Sequence, residues 1–86
     1  MDQLINPVLK FVVENFLYGD ESRLRGDTSF LKSGIIDSTG ILELVGFLES
    51  HFGIRVEDEE LVPENLDSLT TISSYLDRKL NSSSAL

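Results

Sequence analysis

An all-α fold, a small bundle of four helices with a long loop between the first and second and a short third helix, is what the 86 residues predict. Three observations carry that prediction. Apolar residues recur at helical spacing in three separated stretches, residues suited to capping stand at their ends, and one long polar connection divides the first stretch from the second.

Leu4, Ile5, Val8, Leu9, Val12 and Phe16 place a first amphipathic helix from about Gln3 to about Leu17. Pro7 falls within its first turn or so, where a missing N–H is tolerated, and Tyr18-Gly19-Asp20 closes it. The connection from Gly19 to Asp37 carries Gly26, Gly34 and a mixed-charge patch from Asp20 to Asp27. Long ordered loops are functional or pinned by their own apolar residues. Phe30, Leu31, Ile35 and Ile36 are the expected plugs, dropping separately between the first two helices.

A second helix is expected from Ser38 to near His51, with Ile41, Leu44, Val45, Leu48 and Phe52 on its core-facing stripe. Thr39, Glu43, Gly46 and Ser50 fall opposite, with Leu42 and Glu49 on the flank. Asp37 suits the N-cap or the position before it, and Gly53 suits the C-cap. Phe47 lies off the stripe, which assigns it to packing under the long loop or the third helix, or to a partner surface. The short third helix is placed at Glu57 to Leu61, after which Pro63 interrupts. Ser68 is the expected N-cap of a last helix with Leu69, Ile72, Leu76 and Leu80 on one face. Residues 81–86 read as a flexible, serine-rich tail on a single domain of residues 1–80.

Composition narrows the function. Fifteen acids against seven bases give a formal net charge of −8, which argues against nucleic acid and anionic membrane surfaces as partners. The same charge favours basic protein partners and steered encounters. Without cysteine there is neither a disulfide nor a thiolate metal site, so any thiol chemistry has to arrive on a prosthetic group. Neither a signal-peptide pattern nor a transmembrane-length apolar run is present, so the expectation is a soluble cytoplasmic monomer.

Ser38 is the most informative residue. It opens an amphipathic helix directly after an acid, yet nothing nearby can activate it as a nucleophile. His51, the only histidine, is thirteen residues further on and nearly four turns away, which removes a serine–histidine hydrolase. His51 suits the negative end of its helix, and the run Glu57 to Glu60 lacks the spacing and glycine of a calcium loop. A serine that is presented but inert is one that another enzyme modifies.

The register Asp37-Ser38, Leu42-Glu43-Leu44-Val45, Leu48-Glu49, Phe52-Gly53-Ile54 and the acidic run after Val56 resembles the acyl carrier protein family, and the resemblance spans nearly the whole chain. It implies that Ser38 bears a 4'-phosphopantetheine arm derived from coenzyme A. It also implies that Asp37 assists at the attachment site and that the arm's thiol holds an acyl or aminoacyl group as a thioester. Thr39, Leu42, Glu43, Gly46, Glu49 and Ser50 would form the partner face on the second helix. The implied partners are a phosphopantetheinyl transferase, an adenylating acyl- or aminoacyl-ligase and downstream acyl-transferring enzymes, and the domain itself is no enzyme. Ile35-Ile36 before the motif resembles discrete carriers served by an adenylating ligase, D-alanyl carriers included. Thr39, Gly46, Ser50 and His51 depart from fatty-acid carriers, and Thr39 also from D-alanyl ones, which places the chain among specialised carriers of secondary or cell-envelope metabolism. The other reading is a helical interaction module without a prosthetic group, in which Ser38 is an ordinary capping residue.

Overall fold

Val8 and Val12, Leu44 and Leu48, and Ile72 and Leu76 are fully buried pairs one helical turn apart in three stretches of chain. In a computed structural model, which describes residues 2–84, they are the contact faces of three long helices. These are α1 (Asp2–Phe16), α3 (Ser38–Phe52) and α5 (Leu69–Ser84), and two four-residue helices, α2 (Phe30–Ser33) and α4 (Pro63–Leu66), complete the set. Short 3-10 turns occur at Glu21–Arg23 and Asp58–Glu60. All regular structure among the described residues is helical. α5 packs on α1 and α4, and α1 packs on α3.

The caps explain where the elements begin and end. Asp37 caps α3 by accepting the Gly40 N–H at 2.7 Å, and Gly53 ends the helix in the left-handed conformation at φ 66°. Ser68 caps α5 reciprocally: its hydroxyl accepts the Thr71 N–H at 3.1 Å, and the Thr71 hydroxyl oxygen accepts the Ser68 N–H at 3.0 Å.

Four expectations change. The third helix is not one element over Glu57 to Leu61 but a 3-10 turn followed by α4, and Pro63 starts α4 rather than interrupting it. A first helical residue needs no N–H partner, so proline is at home there. The last helix runs four residues beyond Leu80, to Ser84, with Asn81 Nδ2 donating to Asp77 Oδ1 one turn back at 3.0 Å; residues 85 and 86 lie outside the described residues. Of the four plugs, Phe30, Ile35 and Ile36 are buried, but Leu31 is 44% exposed because α2 turns it away from the core. Phe47, expected under the loop or the third helix or on a partner surface, stacks its ring on Phe11 of α1 at 4.4 Å between centroids and on His51 at 5.2 Å.

The long connection is held from outside as well as by its plugs. The Asp67 carboxylate accepts hydrogen bonds from the Ser29 hydroxyl and from the Leu31 N–H (3.0 Å), and the Asp67 carbonyl accepts the Phe30 N–H at 2.7 Å. Further along, the Gly26 carbonyl accepts both the N–H and the hydroxyl of Thr70, each at 2.9 Å. A second tie fixes the segment ahead of α4. One oxygen of Glu60, Oε1, accepts from the Glu57 N–H, Tyr75 hydroxyl and Lys79 Nζ at 2.9–3.0 Å.

Two measurements follow from these contacts. Phe30→Ala removes a fully buried ring and should cost about 3–5 kcal/mol, most of the roughly 5 kcal/mol available to a domain of this size. Leu31→Ala should cost far less; equal losses in urea unfolding would contradict the orientation of α2. The Glu57 N–H first, then the Lys79 and Tyr75 hydrogen bonds, hold the Glu60 carboxyl below its ordinary value of 4.5 against the opposing effect of burial. Ionised Glu60 therefore stabilises the fold above that value, and the contribution is lost as pH falls through the lower folded value. The difference in urea midpoint between wild type and Glu60→Gln should be largest near neutrality and shrink below pH 4.5.

Candidate functional site

Ser38 occupies the first position of α3 and is exposed. The residue before it, Asp37, takes both hydrogen bonds expected of an N-cap, the Gly40 N–H with its carboxylate and the Ile41 N–H with its carbonyl at 3.0 Å. Capping is thus supplied without the serine hydroxyl. That hydroxyl stands at the positive end of a four-turn helix, where an attached phosphate group is favourably placed.

Beside Ser38 opens a cavity of about 150 Å³ between α2, α3 and α4. Leu31, Ile41, Leu61, Val62, Pro63 and Leu66 give it apolar walls, and Ser38 and Asp67 supply its polar edge. The exposure of Leu31 therefore has a place in the site: turned from the core, it lines this cavity.

Gly40 sets how closely α3 approaches its neighbours. It is buried, and a methyl group there would come within 2.7 Å of Ile36 Cγ2 and 2.9 Å of Phe16 Cε1. The core stripe is rotated accordingly: Gly40, Leu44 and Leu48 are inside, while Ile41, Val45 and Phe52 are half-buried. Gly40 was not among the residues expected in the core, although its position one turn before Leu44 and two before Leu48 was the available signal.

Of the residues predicted for a partner face, Thr39, Leu42, Glu43, Gly46 and Ser50 are exposed along one side of α3, with Leu42 at 63%. Glu49 differs. Its carboxylate turns back to accept the Val56 N–H at 2.9 Å and is half-buried, tying the segment after Gly53 to α3. Asp67 was not expected as a site residue: the groups it holds, the Ser29 hydroxyl and the Leu31 N–H, lie 38 and 36 positions away, beyond the reach of any local sequence signal. His51 stands at the far end of α3 from Ser38, about 20 Å along the axis, stacked with Phe47. Among the described residues no cluster of histidine or acidic side chains is arranged to hold a metal ion, and no helix is long and apolar enough to cross a membrane.

The arrangement is an exposed serine at a helix start beside an apolar cavity. Comparison with known proteins identifies relatives of the chain. Acyl carrier proteins of Petrotoga mobilis (34% identical over 80 residues, 93% of this chain and 91% of that one) and Bdellovibrio bacteriovorus (31% over 75 residues, 87% and 94%) are similar to it. So is that of Thermotoga maritima, 31% identical over 72 residues, 84% of this chain and 86% of its own. The chain belongs to the acyl carrier protein family. No family model matches it. A chain in a solved structure described as that of an FAD-dependent dehydrogenase superposes with a TM-score of 0.71 over 80% of this chain and 97% of its own. At 23% identity it attests the fold alone.

Two substitutions separate positions that look alike in sequence. Glu43→Lys should leave the unfolding midpoint near wild type, since its side chain is exposed. Glu49→Lys removes an acceptor from the Val56 N–H and should cost about 1 kcal/mol; equal midpoints would show that this bond is not formed in solution. Gly40→Ala should destabilise the junction of α1 and α3, read as faster amide exchange at 36–42, with little change expected at the far end of α5.

Proposed function

We propose that Ser38 carries a 4'-phosphopantetheine arm and that the protein shuttles an acyl or aminoacyl group between enzymes docking on α3. One observation carries the reading: Asp37 performs the capping that would otherwise explain a serine at this position, leaving an exposed hydroxyl with no structural task of its own. The residues fit the group. The hydroxyl lies at a helix start suited to a phosphodiester, and the apolar cavity beside it offers shelter to a short hydrocarbon portion of the arm or its cargo. When bound, the arm supplies the thiol that this cysteine-free chain lacks, and cargo is held on it as a thioester.

What this chain's own residues contribute is presentation. Ile36 and Phe30 anchor the approach to Ser38 in the core, and Gly40 lets the first turn of α3 sit against Phe16 and Ile36. Asp37 fixes the helix start, assists at the attachment site, and contributes negative charge there. Leu42 and Glu43 offer an apolar and an acidic contact one turn beyond Ser38, flanked by the small residues Thr39, Gly46 and Ser50; Glu49 joins this face through the rim of its carboxylate. Basic enzymes dock there: a phosphopantetheinyl transferase, an adenylating ligase and acyl-transferring enzymes. The three long helices with the short α4 correspond to the four-helix carrier arrangement, and the loop holding α2 to its long connection. The working state is a cytoplasmic monomer in a specialised, secondary or cell-envelope pathway.

Incubation with coenzyme A, magnesium and a broad-specificity phosphopantetheinyl transferase should raise the intact mass by one phosphopantetheine. Ser38→Ala should abolish the gain while leaving the helical circular dichroism unchanged. Modification that survives the substitution would sink the assignment, and a wild-type chain that takes no arm would favour the unmodified interaction module.

A further inference from the structure

The cavity beside Ser38 has a floor, a rim and one charged edge, and each limits what fits inside. Leu66 closes the bottom: it is 2% exposed and belongs to the core. Ile41 and Val62, both half-buried, form the sides, and the exposed Leu31 and Leu61 stand at the mouth. The space they bound is about 150 Å³. An enclosed apolar cavity of that volume takes up benzene, a group of six carbons. A long fatty chain exceeds it.

The edge bears on charge. Asp67 lines the cavity together with Ser38, and both of its carboxylate oxygens are engaged, one by the Ser29 hydroxyl and the other by the Leu31 N–H. A second anion in this space would be repelled by Asp67 and stripped of water by the apolar walls. An ammonium group would lose water against the same walls, and the one carboxylate there already holds α2 in place. We infer that the cargo is an uncharged acyl group of about four to six carbons, and that Ile41, Val62 and Leu66 set this limit. The inference rests on the carrier reading and decides between the acyl and aminoacyl cargoes that reading allows. Because Ser38 is itself part of the lining, a group attached there is tethered at the mouth, which raises its local concentration at the cavity.

The wild-type chain, loaded by the transferase from acetyl-, butyryl-, hexanoyl- and decanoyl-coenzyme A with loading confirmed by intact mass, tests the limit. Hydroxylamine cleavage of each thioester, measured against the same acyl group on free pantetheine, reports its burial. Protection should grow by up to about fourfold for each methylene added, reach its maximum by hexanoyl, and show no further gain at decanoyl. Malonyl and β-alanyl cargo should stay at the acetyl level. Val62→Phe fills the space from a half-buried position and should remove the protection, whereas Ile41→Ala enlarges it and should carry the maximum to longer chains. The urea midpoint of each unloaded variant establishes that it is folded, and Ile41→Ala alone decides if Val62→Phe is not. A series without protection, a gain that continues to decanoyl in wild type, or β-alanyl protected as well as butyryl overturns the inference while leaving Ser38 modification intact. A wild-type chain that gains no mass overturns this inference together with the reading beneath it.

Discussion

The loop that delivers the chain to Ser38 runs from the end of α1 to Asp37, and its apolar residues cannot share one face because α2 turns Leu31 outward while burying Phe30. The α4–α5 junction supplies what the loop lacks. Asp67 caps α2 from across the molecule through Ser29, Phe30 and Leu31, and Thr70 holds the Gly26 carbonyl with two hydrogen bonds. These bonds join segments about forty positions apart in sequence, so they close a large loop whose ordering entropy is repaid only once the helices have packed. With Gly26 and Phe30 fixed, Ile35 and Ile36 reach the core and Asp37 arrives where it can cap α3. The presentation of Ser38 rests on that clamp.

The clamp also explains how a cavity comes to lie beside the serine. Because α2 is held by the same residue that ends α4, the space between α2, α3 and α4 is walled by Leu31 on one side and by Leu61, Val62, Pro63 and Leu66 on the other. Asp67 lies at its edge. The segment bearing the second wall is tied to α5 through Tyr75 and Lys79, which both donate to Glu60, and through Arg78, whose Nη2 donates to Asn65 Oδ1 at 2.8 Å. Structural hydrogen bonds and the cavity are therefore one arrangement, and a change to either tie alters both.

An acidic composition invites the assumption that its carboxylates serve partners, and several here serve the fold instead. Asp37 caps α3, Asp67 caps α2, Glu49 holds the Val56 N–H and Glu60 gathers three donors. A carboxylate that accepts backbone N–H groups gains more from that geometry than from solvent exposure. On the exposed side of α3 the acid left free of such work is Glu43, next to Leu42. Net charge still steers encounters over distance, but the specific contacts available there are few and mixed in character.

The sequence by itself determined what depends on near neighbours along the chain. Helical spacing placed the three long helices, and short-range capping chemistry placed Asp37, Gly53 and Ser68 at their ends, because these interactions close within one or two turns. The register around Asp37-Ser38 carried the family for the same reason. Tertiary structure decided what depends on how the chain folds back on itself: that Leu31 faces the cavity and not the core, that Phe47 meets Phe11, that Gly40 must lack a side chain, that Glu49 turns back to the Val56 N–H across the end of its helix, and that Asp67 holds a backbone N–H 36 positions away. A periodic pattern tells which face of a helix is buried but not its exact rotation or what stands opposite. Those are fixed by packing side chains of particular volumes against one another, and a single absent methyl group at Gly40 is enough to set them.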